Sequence, residues 1–490
     1  MSDACGLQGD VFPDMVEDQS GAIHRLRYPP LGQGGQGVVF RTHDPDTAVK
    51  FVVDARGAPR RNDEFCARVR RRVDEIMTLP LPKHGVASPH VALSPPYAGY
   101  VMRLLNDMVP ISALIAKPNQ SVATVYRETG GLRRRLRVLE KAASVITRLH
   151  ATPLVYGDVS DRNIFVSQDV NFDEAWLIDL DNVRYWTESS DIIIYTPGFG
   201  SPEVVQNRAG VTTLSDTYAF AVLAFQVLSQ QHPFLGSAAE EGGGWDSDDD
   251  TDPQEDAFAG RLPWIDDPNT DENRSANGIP RAMVLTPSLR ELFRKCFCEG
   301  RLDRTQRPSM AAFVESLGQA ANFTVDCNTC DSSFLPFTKK CPWCEVGVAT
   351  SWIRAQSRTW VPDLDEENLG NGSPESPAAA SRPGFLTSSV QYSQAIVAQP
   401  GRRIALAAAL LRPVVSRESE PSTITMTIGH AGVTLDVPDD VECHYVGPQG
   451  GSCERVVGSR DLDLTSLGHL HVGAMDQPHR VVSLRYVPEE

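Results

Sequence analysis

The chain has 490 residues, 41% of them apolar and 22% charged, enough for packed cores and a length that predicts roughly two to four domains. Lys plus Arg total 46 against 63 Asp plus Glu, and a formal charge of −17 repels nucleic-acid phosphates over most of the surface, which argues against a nucleic-acid binder. The opening MSDACGLQGD has no basic head, the richest apolar runs (Tyr218–Leu228, Ile404–Leu411) are too short for a bilayer, and ten cysteines are too dilute for a disulfide framework; a cytoplasmic protein with reduced thiols and no membrane attachment is expected.

Residues 1–22 are polar and aperiodic and predict a disordered lead. Over 23–320 apolar runs and helical patterns alternate, as in one large domain. Its first signal is Leu31, Gly32, Gln33, Gly34, Gly35, Gln36, Gly37, Val38 and Val39, with Lys50 in AVKF thirteen residues after Gly37. Glycines let a backbone approach phosphates without a Cβ in the way. A dinucleotide fold needs a helix directly after them. Here β-branched residues follow, so the pattern is strand, glycine turn, strand, then a lysine on the next strand; a plain hairpin turn is the bland alternative.

Leu132, Leu136, Leu139, Ala143, Ile146 and Leu149 step by three and four, one apolar stripe of a helix. Directly after it comes Tyr156, Gly157, Asp158, Val159, Ser160, Asp161, Arg162, Asn163. A carboxylate at Asp158 can take the proton of an attacking hydroxyl, and a carboxamide oxygen at Asn163 can ligate Mg2+. Trp176–Asp181 is an apolar strand ending in acid, which places Asp179 to hold a hard cation between phosphates. Tyr218–Leu228 is apolar nearly all round and predicts a buried helix. Between about 238 and 258 the acids Glu240, Glu241, Asp246, Asp248, Asp249, Asp250, Asp252, Glu255 and Asp256 occur with no Lys or Arg, a solvated insert in preference to a docking site for a basic partner.

Cys327, Cys330, Cys341 and Cys344 form two CxxC knuckles over 324–346, four thiolates at the spacing of a closed, structural Zn2+ ribbon. A redox dithiol or idle thiols are the competing readings. Residues 347–400, rich in Ser, Pro, Gly and acid, predict a linker. Over 401–490 the period becomes two: Ile424, Met426 and Ile428, then Val433, Leu435 and Val437 across a glycine turn, and Val482, Leu484 and Tyr486, so an all-β accessory domain is expected. Cys443, His444, Cys453, His469 and His471 are read there as ordinary side chains and not as a metal site.

In this order and spacing, residues 25–318 resemble the eukaryotic-like protein kinase superfamily. The resemblance implies an α+β bilobal kinase domain that uses ATP and Mg2+, with Leu31 to Gly37 and Val39 over the nucleotide, Lys50 on its α/β-phosphates, Asp158 as catalytic base, and Asn163 and Asp179 on the metal. It implies that Ser201, Pro202 and Glu203 close the activation segment, that Arg307 pairs with Glu203, and that a helix acid pairs with Lys50; Glu75 is preferred and Glu64 competes. There are departures. Tyr156 and Gly157 replace His and Arg of the HRD motif, Ser160 stands at a lysine position, and DLD replaces DFG. Gly157 leaves a phosphate on Thr187, Ser189, Ser190, Tyr195 or Thr196 without its usual partner. The implied function is transfer of the γ-phosphoryl group to Ser/Thr hydroxyls of a protein; a pseudokinase scaffold and a small-molecule phosphotransferase are the alternatives. The whole architecture is similar to bacterial kinases of tellurite-resistance-like clusters, which implies a PPM-type phosphatase and a von Willebrand A protein as partners.

Overall fold

The computed structural model describes residues 12–34, 37–187, 192–241, 252–330, 332–338, 340–347, 351–362, 384–388, 390–398, 400–411 and 423–488. The chain divides into two compact units, one of residues 1–129, 137–280 and 287–315, the other of 130–136, 281–286 and 316–490.

The first unit opens with an antiparallel sheet in the order β1-β2-β3-β4-β6-β5, where β1 is Met15–Glu17, β2 Ile23–Gln33, β3 Gly37–Thr42, β4 Thr47–Val52, β5 Pro89–Ala92 and β6 Gly99–Arg103. Alternate residues of these strands converge on a core of Val16, Leu26, Val38, Phe40, Val49 and Phe51. Phe12 joins it, its ring 5.0 Å from Phe40 and 5.3 Å from Phe51. The disordered lead is therefore corrected for residues 12–22, which supply an edge strand too short to display a period; residues 1–11 lie outside the described residues. Helix α1 (Asp63–Thr78) starts where the Asn62 side chain accepts from the N–H groups of Glu64 and Phe65, and it buries Cys66, Val73 and Ile76.

After β7 (Met108–Pro110) and α2 (Val122–Glu128) comes α3 (Gly131–His150), in which the whole expected stripe from Leu132 to Leu149 is buried. Two short pairs follow, β8 (Leu154–Val155) with β11 (Arg184–Tyr185), and β9 (Ile164–Ser167) with β10 (Ala175–Leu177). Helix α4 is Pro202–Val205. Helix α5 (Thr213–Ser229) begins with a reciprocal cap between Thr212 and Ser215 and is buried nearly all round, as its composition demands. Phe225 of this helix meets Trp264, Phe293 and Phe297 edge to face. Both flanks of the acidic insert are helical, Ser237–Glu241 and Pro253–Phe258; residues 242–251 lie outside the described residues.

In the second unit, after its segments 130–136 and 281–286, the hairpin of β12 (Val325–Asp326) and β13 (Ser333–Phe334) carries the first cysteine knuckle, and the second follows it. The unit continues through β14 (Trp352–Pro362), β15 (Gly384–Leu386), β16 (Tyr392–Val397), β17 (Arg403–Ala405), β18 (Thr425–Ile428), β19 (Gly432–Val437), β20 (Cys443–Val446), β21 (Glu454–Val456), β22 (Gly458–Asp463), β23 (His469–Val472) and β24 (His479–Val487). A sheet ordered β15-β14-β24-β23-β20-β21, with β16 also on β14, and a second ordered β17-β18-β19-β22 share a core of Ile353, Met426, Leu435, Leu470 and Leu484. The hairpin expected over 424–437 is present with Met426 opposite Leu435. The linker expectation fails at both ends of 347–400: β14 pairs with β24 from Trp352 to Trp360, and β16 pairs with β14. Its inward positions include Ala355 and Ser357, too weakly apolar to mark a strand in the sequence. The acidic stretch 363–383 lies outside the described residues. Among the described residues no helix is long and apolar enough to cross a membrane.

Candidate functional site

The glycine segment forms the end of β2 and the start of β3, with Gln33 opposite Val38 and Gly32 opposite Val39, and the Gly34 N–H donates to the Gly37 carbonyl at 2.8 Å. Gly35 and Gln36 lie outside the described residues; Leu31 is exposed on β2. Gly37 has a steric reason to be glycine, since a Cβ there would meet the Phe51 carbonyl at 2.8 Å and Lys50 Cε at 3.0 Å. Val39 on β3 pairs with Lys50 on β4, and Lys50 with Tyr100 on β6, which fixes the lysine on the sheet.

Lys50 is buried and its ammonium donates to Asp179 Oδ1 at 2.7 Å and to Asp181 Oδ2 at 2.9 Å. Burial alone would push the ammonium pKa down, but the acidic groups of Tyr100, Asp181 and Asp179 hold it well above the ordinary lysine value. Asp179 follows β10 with φ 54° and ψ 63°, a left-handed conformation costly for a residue with a Cβ and concentrated at functional sites. The expected Glu75–Lys50 pair is absent. Glu75 lies on the outer side of α1, 64% exposed, and accepts from Arg72 at 3.0 Å, while Glu64 is exposed as well. The residue that α1 sends inward is Arg72, whose Nε donates to the Asp181 carbonyl at 3.0 Å and whose Nη2 donates to the Val183 carbonyl.

Asp158 lies in the loop between β8 and β9. Its Oδ2 accepts from Asn163 Nδ2 at 2.8 Å and its Oδ1 from Thr196 Oγ1 at 2.7 Å. With its amide nitrogen turned to Asp158, Asn163 keeps its carbonyl oxygen as the donor for a cation. The Ile178 N–H donates to the Asn163 carbonyl at 3.0 Å, which sets Asp179 beside Asn163 at the end of the β9–β10 pair. Two oxygen donors, one an anionic carboxylate, fit a hard cation such as Mg2+.

Below the loop, Asp216 at the start of α5 accepts the N–H groups of Tyr156 at 2.7 Å and Gly157 at 2.9 Å. The Tyr156 hydroxyl donates to the Ile178 carbonyl and lies 3.2 Å from that of Asn163, tying Asn163 to the residue that precedes Asp179. Gly157 has φ +86°, so glycine here supplies a left-handed turn as well as an empty side chain. A small cleft, partly open to solvent, adjoins Asp158 and is lined by Gly157, Ile194, Phe199, Val204 and Val211. Ser160 is fully buried and brings no charge, and Arg162 is exposed. Ser189 and Ser190 lie outside the described residues.

Glu203 and Arg307 form the expected pair, bidentate at 2.7 and 2.8 Å. Burial pushes the Glu203 carboxyl up, but the Arg307 guanidinium outweighs it and holds the pKa below the usual range. Arg307 also caps the carbonyls of Gly300 and Leu214.

In the second unit the Sγ atoms of Cys327, Cys330, Cys341 and Cys344 lie within 4.8 Å of one another, with Cys327–Cys344 at 3.7 Å and Cys330–Cys341 at 3.8 Å. Zn–S bonds of about 2.3 Å in a tetrahedron put sulfurs about 3.8 Å apart, so the set fits Zn2+. The N–H groups of Thr329, Trp343 and Gly347 point at Cys327, Cys341 and Cys344, a donor set suited to thiolates. The Gly347 N–H is the chief cause that lowers the Cys344 thiol to about 6.

The sequence reading missed Asp181, Arg72, Tyr100 and the bond from Thr196 to Asp158. The acid spacing of DLD was the one available signal for Asp181; nothing in α1 marks Arg72 among its neighbouring arginines.

The profile of the protein kinase domain matches residues 27–317, more than half of the chain. The serine/threonine-protein kinase pkn2 of Myxococcus xanthus is 30% identical over 21% of this chain and 13% of its own length. The serine/threonine-protein kinase PknA of Corynebacterium glutamicum is 23% identical over 46% of this chain and 47% of its own. Wall-associated receptor kinase 2 of Arabidopsis thaliana is 25% identical over 44% and 28%. The chain thus covers less than half the length of each.

Proposed function

The chain belongs to the protein kinase domain family, and from that premise we propose that it transfers the γ-phosphoryl group of ATP to Ser or Thr hydroxyls of a protein substrate. The observation that carries this reading is Asp158, a carboxylate with each oxygen already oriented by a donor, Asn163 on one side and Thr196 on the other. An acceptor hydroxyl gives its proton to Asp158 as its oxygen bonds to the γ-phosphorus, while the bond to the β–γ bridging oxygen breaks and ADP departs with that electron pair. Lys50 donates to the phosphates, and its ammonium is the buried cation available where Ser160 brings none. Asn163 and Asp179 hold Mg2+, which supplies positive charge to the transferring group when bound.

The Glu203–Arg307 pair favours a protein kinase over a small-molecule phosphotransferase, because it anchors the segment that would receive a peptide. The four thiolates hold one structural Zn2+ in a ribbon too small to fold on its own core. The second unit recruits partners, for which a PPM-type phosphatase and a von Willebrand A protein are the candidates that the architecture implies, in a cytoplasmic setting that keeps the thiols reduced.

Incubation with labelled ATP, Mg2+ and a lysate tests the reading. Label on Ser or Thr of proteins is expected. Label confined to small molecules contradicts it in favour of a small-molecule enzyme, and nucleotide binding without transfer contradicts it in favour of a pseudokinase.

A further inference from the structure

Lys50 needs a fixed position to serve the phosphates, yet among the described residues no acid of α1 reaches it. Asp74 is 65% exposed near Arg70, Glu75 is 64% exposed on Arg72, and Asp63 and Glu64 face solvent. Its partners come from its other side, Asp179 and Asp181, at 2.7 and 2.9 Å. These two acids sit at the start of the turn Leu180–Asn182, and the left-handed backbone at Asp179 brings both carboxylates to one ammonium.

Asp181 is itself anchored through its backbone. Its carbonyl accepts from Arg72 Nε at 3.0 Å, and Arg72 is oriented in turn by Glu75. With Asp179 as sole partner, the ammonium would be held wholly by a carboxylate that the cation requires. A second acid shares that charge and leaves an Asp179 oxygen for the metal.

We propose that Asp181 is the positioning residue that holds Lys50 for the nucleotide phosphates, in place of a helix acid, and that α1 contributes a cation, Arg72, to the backbone of Asp181 instead. This rests on the nucleotide-binding reading above. It implies that outward movement of α1 does not by itself strip Lys50 of its counter-charge.

The test is a double-mutant cycle read by equilibrium binding of a fluorescent ATP analogue with Mg2+, in the full chain, without turnover. Asp181→Asn is expected to weaken binding about tenfold or more, and Asp181→Glu to recover part of the loss. In a Lys50→Met background Asp181→Asn is expected to change binding less than twofold, because Asp181 acts through the lysine. Asp181→Asn is also expected to cost much more than Glu75→Gln. Melting curves identify variants that fail to fold, for which Asp181→Ala and Asp181→Glu give the same comparison. Equal binding by parent and Asp181→Asn overturns this assignment alone, and so does an undiminished loss in the Lys50→Met background, which would make Asp181 a direct ligand. A folded parent that binds no nucleotide overturns the kinase reading and this assignment with it.

Discussion

The hydroxyl of Thr196 donates to Asp158 Oδ1 at 2.7 Å, so the carboxylate proposed as the base is oriented by the segment that leads into Glu203. Loss of a hydrogen bond to a charged group costs about 1.5–3 kcal/mol, a factor of roughly ten to a hundred in rate when it acts in the transition state. Thr196→Val is expected to lower kcat by that factor, and Thr196→Ser to restore most of it. A Thr196→Val enzyme with parental kcat would show that Asn163 alone orients Asp158.

Arg307 is buried, with Glu203 as its counter-charge at 2.7 Å, and removing one member of such a pair strands the other. Glu203→Gln is expected to destabilise the protein by about 3–5 kcal/mol in denaturant melts. The pH dependence has a definite sign. The Glu203 carboxyl is held below its ordinary value, so its contribution is present above about pH 4.5 and is lost as pH falls through the lowered value. Denaturation free energies unchanged by the substitution would contradict the pairing.

His232 reports on the segment that leads into Glu203, through the Gly198 carbonyl. Its Nδ1 accepts from the Phe234 N–H at 3.2 Å, so Nε2 carries the proton that goes to the Gly198 carbonyl at 2.8 Å. Burial lowers its pKa to about 4. Between that value and the ordinary 6.5 the unfolded chain binds a proton that the folded chain refuses, so stability falls as pH drops from about 6.5 toward 4. Thermal melts across pH 4.5–7.5 are expected to show a shallower slope for His232→Gln than for the parent. Parallel slopes would mean that His232 is not neutral in the fold.

For the four cysteines, elemental analysis is expected to give about one Zn2+ per chain. Cys330→Ser is expected to lose the metal and the order of the Val325–Phe334 hairpin, whose core includes Cys327 and Cys341. Metal-free protein that keeps this hairpin folded would contradict a structural ion.

Much of this molecule is legible in its sequence because its chemistry is local. The glycine segment, Asp158 with Asn163 five residues on, Asp179 at a strand end and the paired CxxC knuckles are short motifs whose spacing sets their geometry. The stripe of α3 and the apolar α5 are equally direct. What stayed hidden depends on tertiary placement. Which α1 side chain faces Lys50 turns on the rotation of that helix, set by Cys66, Val73 and Ile76, and the rotation that buries them sends Arg72 inward and Glu75 outward. Strand β14 was obscured because Ala355 and Ser357 face its core.

The most direct measurement is single-turnover transfer from labelled ATP to protein by the parent and by Asp179→Asn, with Asp158→Asn and Lys50→Met alongside. The account predicts transfer by the parent onto Ser or Thr and a loss of at least about a thousandfold in Asp179→Asn, equivalent to about 4 kcal/mol in the barrier, in a variant whose melting curve shows that it is still folded. Transfer by all three variants at the parental rate, or a folded parent that binds ATP and transfers nothing, would contradict it.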